Sequence, residues 1–398
     1  MKQNCYILLL VPFLMVLSSC STPTKEKNTR GADEVKSVEM ESILVQPDSA
    51  EFMVTVPQTG RYKVSVWGSF ENEATAWVED YINNTDDREY NITGSITFDS
   101  TGKGSIDGSP LAKGEHPMKV HSEEGNTVDS IRFDLLQPHV ETDSVLIQEM
   151  DGSEWSLVWS DEFEGTGLVD DSKWNYKVGN WGWGNNELQY YTLEETANAR
   201  QEDGKLTIEA HKNKTGNKWT SARLSTQGNV SFKYGRIEYR AKVPAGRGTW
   251  AAGWLLGDTY KDELSWPYCG EIDVLECVGY EINDTKGNGI NHATCHTRAY
   301  YFKQGNQIGS EIEVDSMNTK FHTYAVEWYP TKIEGYLNGE LYYTYDKIAN
   351  ELEWPFNQPQ NIIINLAVGG GWGGAKGVDS SYTSHQYILD YIRVYEKK

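Results

Sequence analysis

The sequence predicts an all-β protein of two sandwiches, a smaller one followed by a larger one. Three observations carry this. Short runs alternate apolar and polar residues, as in Glu51-Phe52-Met53-Val54-Thr55-Val56 and Tyr62-Lys63-Val64-Ser65-Val66-Trp67, which is the period of a strand with one buried face. Pro, Gly and Asn-Asp breaks separate the runs, and almost nothing holds a helical period beyond one turn. No repeat of about 20 to 50 residues recurs, which argues against a propeller or solenoid. At 398 residues the chain has room for two or three domains of roughly 100 to 200 residues each.

Residues 1–20 read as an export leader. Met1-Lys2 gives the positive end, Tyr6 to Leu17 an apolar run too short to span a membrane, and Leu17-Ser18-Ser19-Cys20 a small-residue cleavage site. This resembles a bacterial lipoprotein signal, in which Cys20 is the lipid attachment point; an ordinary signal peptide with a chance cysteine is the alternative. Residues 21–37 are polar and charged without an apolar period, the composition of a flexible tether. The expected location is extracytoplasmic, lipid-anchored to a bacterial membrane at the outer membrane or cell surface, with membrane contact through the lipid only. With Cys5 and Cys20 set aside, Cys269, Cys277 and Cys295 remain. Cys277 and Cys295 fall on expected neighbouring strands, so either a bridge or buried free thiols would fit.

Residues 38–137 predict the first sandwich. Gly60-Arg61-Tyr62-Lys63-Val64, Gly114-Glu115-His116 and Val128-Asp129-Ser130-Ile131-Arg132-Phe133 resemble carbohydrate-binding modules appended to polysaccharide hydrolases. An immunoglobulin-like spacer with no ligand is the alternative. Residues 138–152 hold Pro138 and a group of acids, and read as a linker or a shared edge between domains. Residues 153–398 carry most of the tryptophans and further strand patterns, such as Phe321-His322-Thr323-Tyr324-Ala325-Val326-Glu327-Trp328. The net charge of −22 repels nucleic acid and favours a neutral partner over a polyanion. A monomer with no nucleic-acid partner is expected.

The informative segment is Cys269-Gly270-Glu271-Ile272-Asp273-Val274-Leu275-Glu276-Cys277. On a strand, Glu271 and Asp273 share a face while Ile272 and Val274 enter the other. Strict alternation would then bury Glu276, at a cost of several kcal/mol for an unpaired carboxyl. A β-bulge near Val274-Leu275 would return it to the acidic face. Three carboxyls in a row repel one another, and aromatic walls from Trp250, Trp254 and Trp266 would raise their pKa values by desolvation. Glycoside hydrolysis uses such a set: one carboxylate attacks the anomeric carbon and a second, protonated, serves the leaving oxygen, about 5 to 5.5 Å away in retaining enzymes.

Here the chain resembles family 16 of the glycoside hydrolases, whose signature is Glu-x-Asp-x-x-Glu. Further landmarks stand in family order: Trp159-Ser160-Asp161-Glu162-Phe163, Trp183-Gly184-Asn185-Asn186-Glu187-Leu188-Gln189-Tyr190-Tyr191-Thr192, Phe232-Lys233-Tyr234-Gly235-Arg236-Ile237-Glu238, Asn365-Leu366-Ala367-Val368-Gly369-Gly370 and Asp390-Tyr391-Ile392-Arg393-Val394-Tyr395. The resemblance implies a jelly-roll β-sandwich and a retaining double displacement, with Glu271 the nucleophile, Glu276 the acid/base and Asp273 orienting Glu271. Trp266-Pro267-Tyr268-Cys269-Gly270 and Val278-Gly279-Tyr280 look most like laminarinases, endo-acting on β-1,3-glucan. Trp250-Ala251-Ala252-Gly253-Trp254 departs from the usual Trp-Pro-Ala-x-Trp. Mixed-linkage glucan, agar or porphyran is the alternative substrate on the same mechanism, and a non-catalytic glucan-binding protein the alternative from another class.

Trp250, Trp254, Trp266 and Trp372 can present flat faces to sugar rings, or can pack in the core. His296 is expected on the strand after Glu276, within reach of the acid/base or the substrate, or as a structural histidine. Asn186 and Glu187 can bond sugar hydroxyls, although turn chemistry also explains Asn185-Asn186. No cofactor is required for the chemistry. The resemblance also implies a structural calcium, with oxygen ligands from Glu162, the Gly204 carbonyl and Asp390; surface acids are the alternative.

Overall fold

Alternation along the strands decides which side chains pack and which face outward. The computed structural model describes residues 42–398 apart from 48, 72–73, 86–87, 213–217 and 348–349; the leader, Cys20 and the tether lie outside the described residues. All of these described residues belong to one unit, Met40–Lys398, built almost entirely of strands.

The first sandwich packs a sheet of Ser42–Val45, Thr127–Pro138, Gly60–Ser69 and Lys103–Leu111 against a sheet of Glu51–Val56, Gly114–Ser122, Thr75–Asp80 and Tyr90–Asn91, with Ile96–Thr97 on the side. Its core is the inward set of the predicted alternating runs, including Val54, Val56, Tyr62, Val64, Val66, Val78, Met118 and Phe133. Trp67 and Trp77 stay half-buried outside that core, and Trp77 stacks on His121 at 3.9 Å.

The second sandwich has two large sheets in the jelly-roll arrangement. One runs in the order Val145–Ile147, Ser231–Lys233, Gln360–Val368, Thr249–Gly257, Glu271–Val278, Gly289–His296, Ile308–Val314. The other is centred on Ser384–Lys397, Gly235–Lys242 and His322–Trp328. The segment 138–152 is the shared edge and not a free linker, because Val145–Ile147 pairs in parallel with Ser231–Lys233. Backbone groups at a sheet margin gain hydrogen bonds from such an extra strand.

Four adjacent strands of the first-named sheet divide their side chains between core and groove. Ala251, Leu255, Ile272, Ala293, Cys295, Ile362, Ile364 and Leu366 enter the core. Trp250, Trp254, Glu271, Asp273, His292, His296 and Asn365 line the opposite face. Cys269, Cys277 and Cys295 are buried free thiols, so Cys277 and Cys295 are not bridged.

Candidate active site

The acidic strand Glu271–Val278 contains the bulge that its sequence demands. Leu275 pairs with Gly253 and Asp273 with Trp254, leaving Val274 as the extra residue. Val274 and Leu275 therefore both enter the core, and Glu276 returns to the groove beside Glu271 and Asp273. Pairing to the next strand runs only from Glu271–His296 to Asp273–Thr294. Past that point the buried Asn291 side chain replaces the ladder, accepting from Glu276 N–H at 3.1 Å and donating to the Val274 carbonyl at 3.1 Å. Without it, buried backbone groups at the bulge would be left unpaired. Two glycines give the strand its place. Gly270 takes φ +75° to turn the chain into Glu271, and a Cβ on Gly253 would sit 3.0 Å from the Tyr239 ring.

The groove has a volume of about 650 Å³. Trp266 Nε1–H donates to Glu271 Oε2 at 2.9 Å, and Trp250 Nε1–H donates to Glu276 Oε1 at 3.1 Å. Each outer carboxyl is thus oriented by its own indole. His296 Nε2 lies 3.3 Å from Asp273 Oδ2 and 3.9 Å from Glu271 Oε1. The expected bond from His296 to Glu276 is replaced by proximity to the other two acids, because the strand register sets His296 opposite Glu271. Asp273 Oδ2 itself accepts no hydrogen bond.

Electrostatics separates the acids. Burial, then the Asp273 charge, pushes Glu271 up to about 7, while His296, the Trp266 N–H and Arg223 pull it down. Burial raises Asp273 as well. Glu276 is lifted well above the usual carboxylate range by burial and then by Asp273. Glu271 therefore ionises before Glu276, so the outer pair becomes one carboxylate and one carboxylic acid as Glu271 titrates, with Asp273, raised to about 8 by burial, between them.

Among the described residues, the match to the "Glycosyl hydrolases family 16" model covers 186–392. A beta-glucanase from Rhodothermus marinus is 48% identical over 250 residues, spanning 61% of this chain and 85% of that protein. The chain belongs to family 16 of the glycosyl hydrolases. Among solved structures, the laminarinase from Rhodothermus marinus overlays with a TM-score of 0.57 at 47% identity, covering 61% of this chain and 98% of that one. The laminarinase from Flavobacterium sp. UMI-01 gives 0.55 at 39% identity, covering 61% and 100%. This chain is a glycoside hydrolase of the laminarinase-like branch.

The remaining groove residues of this family 16 hydrolase divide between expected and missed. Trp372 lines the groove, edge-on to Trp250 at 5.5 Å and to His292 at 4.9 Å. Trp254 lines it too, with Nε1–H donating to Asn365 Oδ1 at 2.8 Å. Glu187 faces the groove and accepts from Gln189 at 2.7 Å. Asn186 does not: it is exposed in a left-handed turn position with φ +59°, and its neighbour Asn185 takes the lining place. The sequence reading missed Arg223, whose guanidinium lies 4.7 Å from both the Trp183 and Trp254 rings, and Asn365, although that residue begins a family landmark.

Two of the three residues named for calcium have arginine partners. Glu162 accepts two bonds from Arg393, at 3.0 and 2.8 Å, and Asp390 pairs with Arg240. Each charge already has an arginine, and the carboxylate standing next to Gly204 is that of Glu164. Among the described residues, the one group of three or more His, Cys, Asp or Glu side chains with ligand atoms mutually close is Glu271, Asp273 and His296, within 4.8 Å.

Proposed function

We propose that this protein is a retaining endo-hydrolase of β-1,3-glucan. The observation that carries the mechanism is the bulge at Val274, which sets Glu271 and Glu276 on one groove face. Glu271 attacks the anomeric carbon as the glycosidic C–O bond breaks, and Glu276 gives its proton to the leaving oxygen. Water, deprotonated by Glu276, then attacks the same carbon and releases Glu271, so the product keeps the β configuration. Asp273 orients Glu271 and, through its own charge, sets how readily Glu271 ionises. Trp250, Trp254, Trp266 and Trp372 offer sugar platforms along the groove.

The substrate class is supported by the beta-glucanase and laminarinase relatives. Charge supports it independently: the groove carries Glu187, Glu263, Glu271, Asp273 and Glu276 against Arg223 and Lys303, which disfavours a sulfated chain. A product profile on laminarin, lichenan, agarose and porphyran tests this reading. Laminarin should yield a ladder of short oligosaccharides. Cleavage of agarose or porphyran with laminarin left intact would contradict it. The leader pattern supports anchoring through acylated Cys20, and Cys20→Ala should move the protein from the membrane to the soluble fraction.

A further inference from the structure

Among the contacts of the first sandwich with the hydrolase are two loops, and both loops line the groove. One runs from Val178 to Tyr190 and carries Trp181, Trp183 and Glu187; the other runs from Tyr260 to Trp266 and carries Glu263. On the second loop, Arg88 donates from both terminal nitrogens to the Trp266 carbonyl, at 3.2 and 3.3 Å. Tyr81 OH donates to Asp262 on the same loop, and Ser109 Oγ donates to Glu263 at 3.4 Å. On the first loop, the buried Arg61 donates to the Val178 carbonyl at 2.5 Å and lies 4.4 Å from the Trp183 ring centre. Tyr190 OH donates to Asp107 at 2.8 Å.

These contacts end on the residues that hold the site. Trp266 donates to Glu271, and the Trp183 ring lies 4.4 Å from the Arg61 guanidinium and 4.7 Å from that of Arg223, which is also 4.7 Å from the Trp254 ring. A module that binds sugar independently on a flexible connection needs no such seam. Polar groups brought together at a domain contact restrict relative motion only where they are well paired, as they are here. We propose that the first sandwich is a fixed wall of the hydrolytic groove, with Arg88 the positioning residue for Trp266, and through it Glu271, and Arg61 the positioning residue for Trp183.

This rests on the reading of the groove as the hydrolytic site, and the test separates the two. The full chain is compared with Arg88→Ala, Arg88→Lys and Arg61→Met on laminarin, recording kcat, KM, the pH dependence of kcat/KM, and Tm. Arg88→Ala should lower kcat/KM roughly tenfold or more, since small misplacements of reacting groups are costly. It should also move the acid limb of the pH profile upward, because the Trp266 N–H favours the Glu271 carboxylate. Arg88→Lys should restore most of both. Arg61→Met should raise KM several-fold with the acid limb in place, because Trp183 does not touch Glu271. A wild-type profile in Arg88→Ala, or a lowered Tm with kinetics unchanged, overturns the inference. Should Arg88→Ala fail to fold, wild-type KM in Arg61→Met overturns it equally. A wild-type chain inactive on laminarin would instead overturn the reading of the site.

Discussion

The first sandwich buries Asp80 and the second buries Asp273 in its groove, and these two aspartates are treated differently. Asp80 in the first sandwich is wholly buried. One of its oxygens lies 2.7 Å from His116 Nδ1, the other accepts the Tyr81 N–H at 2.7 Å, and the far ring nitrogen of His116 lies 2.7 Å from the Ala112 carbonyl. Asp273 in the second is nearly as buried, yet one oxygen accepts no hydrogen bond and carboxyls stand before and after it on the same face. Buried acids in folded proteins are ordinarily paired. The satisfied one supports the fold; the crowded one costs stability, at the place where the proposed chemistry is done.

The contrast can be broken in four ways, beginning with the largest effect. Glu271→Gln should lower kcat on laminarin by ~10⁴-fold or more while leaving the circular dichroism spectrum unchanged, since it removes the attacking oxygen and little else. Asp273→Asn should lower kcat/KM by roughly 10²-fold and raise the unfolding free energy by about 1 kcal/mol, because it removes a buried carboxyl whose ionisation the fold opposes. Destabilisation by Asp273→Asn would mean that the acid is part of the scaffold. His116→Ala should act in the opposite sense, lowering stability in urea unfolding by about 3 kcal/mol or more as Asp80 loses its partner; unchanged stability would remove the distinction.

The smallest effect is the pH profile. In the proposed mechanism Glu271 works as the carboxylate, so kcat/KM should rise as pH climbs through about 7. In the same mechanism Glu276 works as the acid, so the rate should fall again only as pH climbs through its own, higher value. A rate already maximal near pH 4 would show that Glu271 lacks the apolar surroundings described.

Much of this was legible in the chain. The bulge followed from one conflict, because strict alternation would have buried Glu276, and the core position of both Val274 and Leu275 resolves it. Trp250, Trp254 and Trp266 could be placed near the acids because they neighbour them in sequence. Asn291 could not: nothing in Asn291-His292-Ala293 says that an amide will stand in for a missing strand pair. Arg223 and Asn365 were hidden for a related reason, since Arg223 pairs with Asn365 across a long stretch of chain. Asn186 misled because an Asn in a left-handed turn reads the same whether its side chain serves a ligand or solvent. The seam between the sandwiches joins Arg88 to Trp266 and Arg61 to Val178, contacts that no local pattern encodes.

The most direct test is to trap the covalent intermediate. An activated 2-deoxy-2-fluoro glucan oligosaccharide slows both displacements and leaves the sugar as an ester on the attacking carboxylate, which fragmentation mass spectrometry can locate within the acidic strand. The label should appear on Glu271. Finding it on Glu276, or finding no ester while laminarin yields first an α-configured product, would contradict the mechanism.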